Sequence, residues 1–555
     1  MNEVRVVPLG GCGSFGLNAT LICSGDQAVL IDFGVGFSGD SYESGLRLVP
    51  DPGPWAERFP RLAAIILTHA HDDHIGALPF LPPAWLAAPI YGLPFTLGMA
   101  KQRLADLNKS APDLRRISLV RTEQAGGFEL EFARLTHSIP DSLAVAIRTT
   151  AGWIVHSGDF KLDPEPVVGA TSDLDRLRAW GERGVRLLLL DSTGALRPGS
   201  SGSESSVAAG LREQIVRASG QVFVSTFATH LHRIQLVLRG AAAAGRQVTL
   251  LGMRASRSVK LGLEQQLLDV PAGLLISPDE ARTLPRQQRL YFASGCQAEP
   301  DSSLGRLASG IETRAEVAYQ DTVVISASIV PGNDQPVTRL INRLLRRGAN
   351  VIHARYQPGL HVSGHASIDE LRQLCAWLRP KSVLPVHGDR QHLLGCQQLI
   401  AAAFPETSSA VVELGDSLLV THQGVAFSTS LPLEPRVVDE HGVIYARSAL
   451  PMRRRLARTG ALFVSAAVDG PELVALRVHP AGISLELDRA RSTELEALIV
   501  SVWRQYRFVR LREWIEAELT ARITSWARAG ARQRPEVIVH LVVCQSQPKR
   551  PEEEC

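Results

Sequence analysis

The stretch ILTHAHDDHIGALPF, residues 66–80, crowds His69, His71, Asp73 and His74 into one turn of a 555-residue chain with 16 histidines in all. The apolar run AAIIL before it reads as a buried strand that ends at Thr68. On an extended backbone residues i and i+2 point the same way, so His69 and His71 can share one metal ion. Asp73 and His74 fall at the turn into HIGALPFL, which reads as a helix start, and can face a second ion. A lone histidine in a polar loop is ordinarily a bland residue. HxHxDH after an apolar strand is a rare spacing, and it reads as half of a metal site.

The other half must come from His, Asp or Glu at other strand ends. LTHSIPDS offers His137, IVHSGDF offers Asp159 and VLPVHGD offers His387. Each ends an apolar run, so all three can converge on one sheet edge, with Asp159 as the natural bridging carboxylate. Singly, each is also a good turn cap. Together with the first four they make a set of seven.

Composition sets the frame. Hydrophobic content of 45% and charged content of 21% are those of a globular enzyme, and the length calls for several domains. MNEVRVVPLGGCGSFG lacks the basic and apolar regions of a signal peptide, and no run approaches the ~18 apolar residues of a membrane span. Seven scattered cysteines without CxxC spacing suit reduced thiols in a cytoplasm. A net charge of +3 neither demands nor excludes a nucleic-acid partner.

Along the chain, short apolar strands fill the first 195 residues. The Gly/Ser/Pro-rich loop RPGSSGSESS (197–206) then opens a segment where strands such as QVFVSTFA and DTVVISAS alternate with helical patterns, a parallel α/β reading. SLLVTHQGVAFS looks like a hairpin, and a last region with its own strands and helices follows. The tail SQPKRPEEEC reads as frayed. In HVSGHAS, the small Ser363 and Gly364 let backbone N–H groups approach an anion between His361 and His365. The arginine clusters INRLLRRG and MRRRLAR read as solvated helix faces.

HAHDDH, Asp32 in VLIDFG, His137 and Asp159 together resemble the metallo-β-lactamase superfamily. LLLDSTGA, VSGHAS and PVHGD narrow the resemblance to its β-CASP nucleases, and PLGGCGSFGLN, THSIPDS, VPGND and HVSGHAS to the ribonuclease J family. The resemblance implies an α/β chain. A metallo-β-lactamase αββα sandwich (1–196 and 347–435) would carry an inserted α/β β-CASP domain (197–346), followed by a small α+β C-terminal domain (445–555). It implies two Zn²⁺ per chain, or Mn²⁺. His69, His71 and His137 would hold one, Asp73, His74 and His387 the other, with Asp159 bridging and Asp32 orienting a ligand histidine. It makes Asp73, His74, Asp191 and His365 catalytic, His365 at the scissile phosphate. His361, Val362, Ser363, Gly364 and His365 would hold a nucleotide phosphate, and Ser225, Thr226, His232 and Arg233 would line the RNA channel. The implied activity is a cytoplasmic, zinc-dependent ribonuclease in RNA processing and decay. It would act 5′→3′ on 5′-monophosphorylated single-stranded RNA with some endonuclease action, as a homodimer or higher oligomer.

Several positions depart from the family pattern. Gly194 stands where Asn is usual, and SGCQAEP, FATHLHR and GMRAS replace related strings. All lie in or near the insertion, so a β-CASP nuclease acting on DNA or structured RNA is the alternative. A small-molecule metallohydrolase needs no such insertion, and a dead RNA-binding subunit would not keep all seven ligand types.

Overall fold

Strand burial explains the architecture of the computed structural model, which describes residues 3–37, 45–110, 113–299, 301–330, 332–439, 441–446, 448–469, 472–483, 489–506, 512–530 and 535–544. The tail read as frayed lies outside them. The chain forms two compact units, one reaching Ile444 and one from Tyr445 onward.

Two sheets face each other in the first unit. Eight strands run in the order Val425–Ser430, Asp416–Val420, Val4–Pro8, Thr20–Ser24, Gln27–Ile31, Ala64–Ile66, Ile90–Gly92, Leu114–Arg116. Seven run in the order Glu123–Ala125, Phe128–Arg134, Leu143–Thr149, Gly152–His156, Val185–Asp191, Ser382–Val386, Ser408–Ser409. Val6, Ile22, Val29 and Ile66 from the first sheet interlock with Phe132, Val145, Ile154 and Leu189 from the second. Helices cover both outer faces: Pro94–Asp106 contributes Phe95 and Leu104 on one side, and Leu174–Arg183, Ile368–Leu378 and Arg390–Ala403 pack on the other. This is the αββα sandwich. The run VRLLLLD of Val185–Asp191 is apolar almost throughout because parallel neighbours and both faces bury it.

The inserted domain is a five-stranded, all-parallel sheet in the order Gln247–Leu251, Arg289–Ala293, Val222–Ser225, Thr322–Ile325, Asn350–His353. Its edge strand Asn350–His353 follows residue 346, where the sequence suggested the insertion ends; Ile325 pairs with His353, so the insert's sheet reaches further. A helix does start at the turn into HIGALPFL, but it is short. The stretch yields one turn, Asp72–Ile75, and a 3-10 turn, Leu78–Phe80, because Gly76 and Pro79 interrupt it.

Among the described residues, the second unit has a three-stranded sheet in the order Glu472–Ala481, Ala461–Asp469, Glu536–Cys544, with helices Arg489–Tyr506 and Arg512–Gly530. Leu462, Val464 and Leu541 pack with Leu495, Ile499, Leu519 and Ile523.

Candidate metal centre

Parallel strands in both sheets bring their C-terminal ends to one edge. Ile31 pairs with Ile66, so Asp32 and the Thr68–His74 loop emerge side by side. Asp191 pairs with Val386, which puts His387 next to Asp191, and Gly152–His156 runs parallel to Val185–Asp191 and leads to Asp159.

The seven residues singled out as ligands meet there. His69, His71, His137 and Asp159 form one set of donors, and Asp73, His74, Asp159 and His387 a second, each with donor atoms within 4.8 Å of one another. Asp159 Oδ2 lies 3.1 Å from His74 Nε2, 3.3 Å from His387 Nε2 and 3.7 Å from His69 Nε2. His71 Nδ1 lies 3.0 Å from His69 Nε2 and 3.2 Å from His137 Nε2. Asp159, His387, His365 and Asp191 form a third close group.

The imidazoles are oriented from behind. His74 Nδ1 meets Asp32 Oδ2 at 2.7 Å, His137 Nδ1 the Gly364 carbonyl at 2.6 Å, and His387 Nδ1 the Thr193 hydroxyl at 2.6 Å. Each therefore turns Nε2 toward the shared space, the arrangement in which an outer partner fixes a metal-binding ring. Asp32 also accepts from the Thr68 backbone and hydroxyl, at 2.8 and 2.7 Å.

Electrostatics split the histidines. Burial pushes His69 and His137 well below their ordinary value and His71 down to about 4, so these three are neutral donors. Burial also acts against charge on His74 and His387, but the carboxylates Asp159 and Asp73 outweigh it. They hold His74 well above its usual range and His387 up at about 9. Asp159 and Asp73 are held low in turn, against their burial, by His387 and His74. A dication among them would displace those protons. Mixed imidazole and carboxylate donors, with one carboxylate common to two sets, fit a pair of borderline divalent ions. Asp73 and His365 keep 24% and 22% side-chain exposure, so the cluster opens on their side.

The other singled-out residues divide. His365 Nδ1 sits 2.9 Å from Asp191 Oδ2, at the open side. Its neighbours His361 to Gly364 are half-buried, and Gly364 packs so closely on Ser138 and His137 that a Cβ would lie 2.8 Å and 3.1 Å from them. Ser225, Thr226, His232 and Arg233 are buried rather than open along a channel. Arg233 donates to the Leu360 carbonyl at 3.0 Å and pairs with Glu204 at 2.8 Å, so it steadies the start of the 361–365 segment from beneath. His232 Nδ1 accepts from the Val168 backbone at 3.1 Å. Among the described residues, the buried Ser225 and Thr226 hydroxyls and His361 Nδ1 have no hydrogen-bond partner.

Three contributors escaped the sequence reading. Asn18 Nδ2 lies 3.0 Å from His74 Nε2 and 3.3 Å from Asp73 Oδ2, Thr193 holds His387, and a Cβ on Gly34 would overlap the Asp73 carbonyl. Gly194 also gains a reason: a Cβ there would lie 1.8 Å from the Ala366 carbonyl.

Comparison with known proteins agrees with this geometry. Family models described as Metallo-beta-lactamase superfamily, as Ribonuclease J, beta-CASP domain, and as Zn-dependent metallo-hydrolase RNA specificity domain match residues 13–196, 219–344 and 351–410. The ribonuclease J of Thermus thermophilus is 37% identical over 92% of this chain and 91% of its own length. That of Synechocystis sp. is 32% identical over 94% and 82%, and that of Sinorhizobium meliloti 34% identical over 84% and 83%. A crystal structure of a protein of unknown function from Enterococcus faecalis shares the fold, with a TM-score of 0.50 at 16% identity, covering 75% of this chain and 100% of that one. By its motif-bearing edge, its inserted parallel sheet and its likeness to these relatives over nearly all its length, the chain belongs to the ribonuclease J family.

Proposed function

We propose that this protein is a metal-dependent ribonuclease that degrades 5′-monophosphorylated single-stranded RNA from its 5′ end, with some internal cutting. The observation that carries the reading is the pair of donor sets sharing Asp159 beside His365 and Asp191. Two Zn²⁺, or Mn²⁺, would be held by His69, His71 and His137 and by Asp73, His74 and His387. When bound, such a pair supplies Lewis acidity toward water and the attacked phosphate. Asp191 orients His365, which gives a proton to the leaving 3′ oxygen. The 361–365 backbone holds a neighbouring phosphate, while the buried Ser225, Thr226, His232 and Arg233 position that segment from beneath without touching the strand. The loop 197–206 begins the substrate clamp, the insertion.

The chain's likeness to bacterial ribonucleases J supports RNA as substrate and a cytoplasmic site of action. Among the described residues no helix is long and apolar enough to cross a membrane. A homodimer or larger oligomer is supported by the exposed apolar residues Phe463, Ile538 and Val542 on one sheet of the second unit.

One time course tests the reading. End-labelled RNAs with a 5′-monophosphate, triphosphate or hydroxyl, and the matching DNA, are incubated with Zn²⁺ or Mn²⁺ and the wild type or the Asp73→Ala, His74→Ala double variant. Mononucleotides are expected from the monophosphate RNA and only with wild type. Metal-dependent cutting of DNA alone would move the substrate to another class, and equal cutting by the double variant would remove the metal centre from the reaction.

A further inference from the structure

A second polar site lies on the inserted domain. A cavity of about 480 Å³ is lined by the arginines 282, 286, 289, 314 and 347, with Gln221, Tyr291, Glu312 and Glu316 also in its wall. Gln221 immediately precedes the strand Val222–Ser225, and Arg289 opens the strand Arg289–Ala293. The sheet is parallel, so this is its N-terminal end. Ser225 and the Ser326–Leu360 contact, next to the 361–365 segment, sit at the other end. Four residues of strand separate the two by about 13 Å.

The arginines are not all spent on carboxylates. Arg314 is bidentate to Glu312 at 2.8 and 2.9 Å, and Arg286 pairs with Asp321. Among the described residues Arg289 and Arg347 have no carboxylate partner. Arg289 donates to the carbonyls of Leu284 and Arg282, at 2.8 and 2.9 Å, and Arg347 to that of Ala308 at 3.1 Å. Those carbonyls fix the guanidinium forks in place while leaving their charge uncompensated. Pre-oriented guanidinium forks suit phosphate oxygens.

We propose that this cavity binds a small nucleoside phosphate at a site separate from the metal centre. Its volume lies within the roughly 300–1,000 Å³ of small-ligand clefts. Glu316 sits in the wall among the arginines. Its carboxylate opposes a continuous polyanion and accepts from the hydroxyl or amino donors that a nucleotide carries beside its phosphates.

The test is calorimetric titration of the full-length, metal-loaded protein with ADP, with inorganic pyrophosphate and a single-stranded decanucleotide as further arms. Arg289→Met with Arg347→Met is expected to weaken one ADP-binding event at least tenfold, while RNA cleavage without added nucleotide stays within twofold of wild type. Arg289→Lys with Arg347→Lys, which keeps charge and bulk, is expected to fall in between. Pyrophosphate binding as tightly as ADP would assign the site to free phosphates and overturn the nucleoside part. Equal ADP affinity in wild type and the methionine variant overturns the site, as does a decanucleotide that needs the same arginines and binds more tightly than ADP. Photolabelling of wild type with 8-azido-ADP gives a readout independent of variant folding. Label in residues 310–316 supports the proposal, and label confined to residues 361–365 refutes it.

Discussion

Glu204 is the residue whose replacement says most about how the inserted domain is fastened to the sandwich. It sits in a Gly/Ser-rich loop, yet it is fully buried. Its Oε1 lies 3.3 Å from Lys161 Nζ, two residues past Asp159, and its Oε2 lies 2.8 Å from the Arg233 guanidinium of the insertion; both cations are buried too. In Glu204→Gln shape is kept and charge is lost. Lys161 retains Asp163 at 3.5 Å and the Gly202 carbonyl at 3.2 Å. Arg233 retains only neutral acceptors, the carbonyls of Ser326 and Leu360, both at 3.0 Å, and the Ser326 hydroxyl. One buried cation is left uncompensated. Breaking a buried pair costs ~3–5 kcal/mol, and the acceptors left to Arg233 put this case near ~3 kcal/mol.

Urea unfolding followed by tryptophan fluorescence reads the loss, because Trp55, Trp85, Trp153, Trp180 and Trp377 lie in the first unit. Adding Arg233→Met should cost less than the two single losses combined, since the cation that Glu204 compensates is then gone. The pH course has a definite sign. Burial acts to raise the Glu204 pKa, but His230, Arg233 and Lys161 hold it well below the usual carboxylate range. Its contribution is therefore full above the unfolded value of about 4.3 and fades only as pH falls through the lower folded one. The penalty should be flat from neutral pH down to about 5. A loss under ~1 kcal/mol, or simple additivity with Arg233→Met, would refute the reasoning.

Three further outcomes follow from the geometry. Thr193→Val removes the hydroxyl 2.6 Å from His387 Nδ1, and a loss of ~10–100-fold in metal affinity or RNA cleavage is expected, read by metal content and initial rates. Gly364→Ala places a Cβ 2.8 Å from Ser138 and 3.1 Å from His137 Cε1; the expected cost is ~1–3 kcal/mol in unfolding, with a fall in cleavage rate because His137 is displaced. Burial, with His230 beside it, depresses His232 to about 3, so the unfolded chain takes up its proton first. That histidine's contribution is full above about pH 6.5 and is lost toward pH 3 at ~1.4 kcal/mol per unit, a slope that His232→Gln should remove from acid-unfolding curves.

The metal edge was legible because its signal is local. Six residues after a buried strand, 69–74, already carry four donors, and His137, Asp159 and His387 each announce themselves by ending an apolar run. The family resemblance then placed Asp32, Asp191 and His365, since the motifs themselves contain them. What was not legible depends on partners distant in sequence. Glu204 stands in the Gly/Ser/Pro-rich loop RPGSSGSESS, and nothing local shows that Lys161 and Arg233 meet it. The same distance hides why Ser225, Thr226, His232 and Arg233 lie beneath the 361–365 segment. Their motif gives no sign of depth. Asn18 and Gly34 were hidden for a steric reason, since their value lies in how closely the chain packs against Asp73 and His74.

Backbone strain gives an independent pointer to the same edge. Asp32 and His387, each the first residue past a strand of a different sheet, both adopt φ of 57°, in the left-handed region. For a non-glycine residue this conformation costs roughly 1–2 kcal/mol. Neither position tolerates escape, because the Asp32 amide donates to the Ile66 carbonyl at 2.8 Å and the His387 amide to the Gly11 carbonyl at 2.7 Å. Relaxing either residue would orphan a buried donor, which costs about as much as the strain itself. The left-handed step breaks the alternation of each strand and turns the side chain onto the common edge, so that Asp32 reaches His74 Nδ1 and His387 reaches Asp73 and Asp159. A glycine at either position would relieve the strain and lose the side chain. The fold thus carries an energetic cost at the two strand ends where a carboxylate and an imidazole must face the same space, and strain of that kind persists where position serves function.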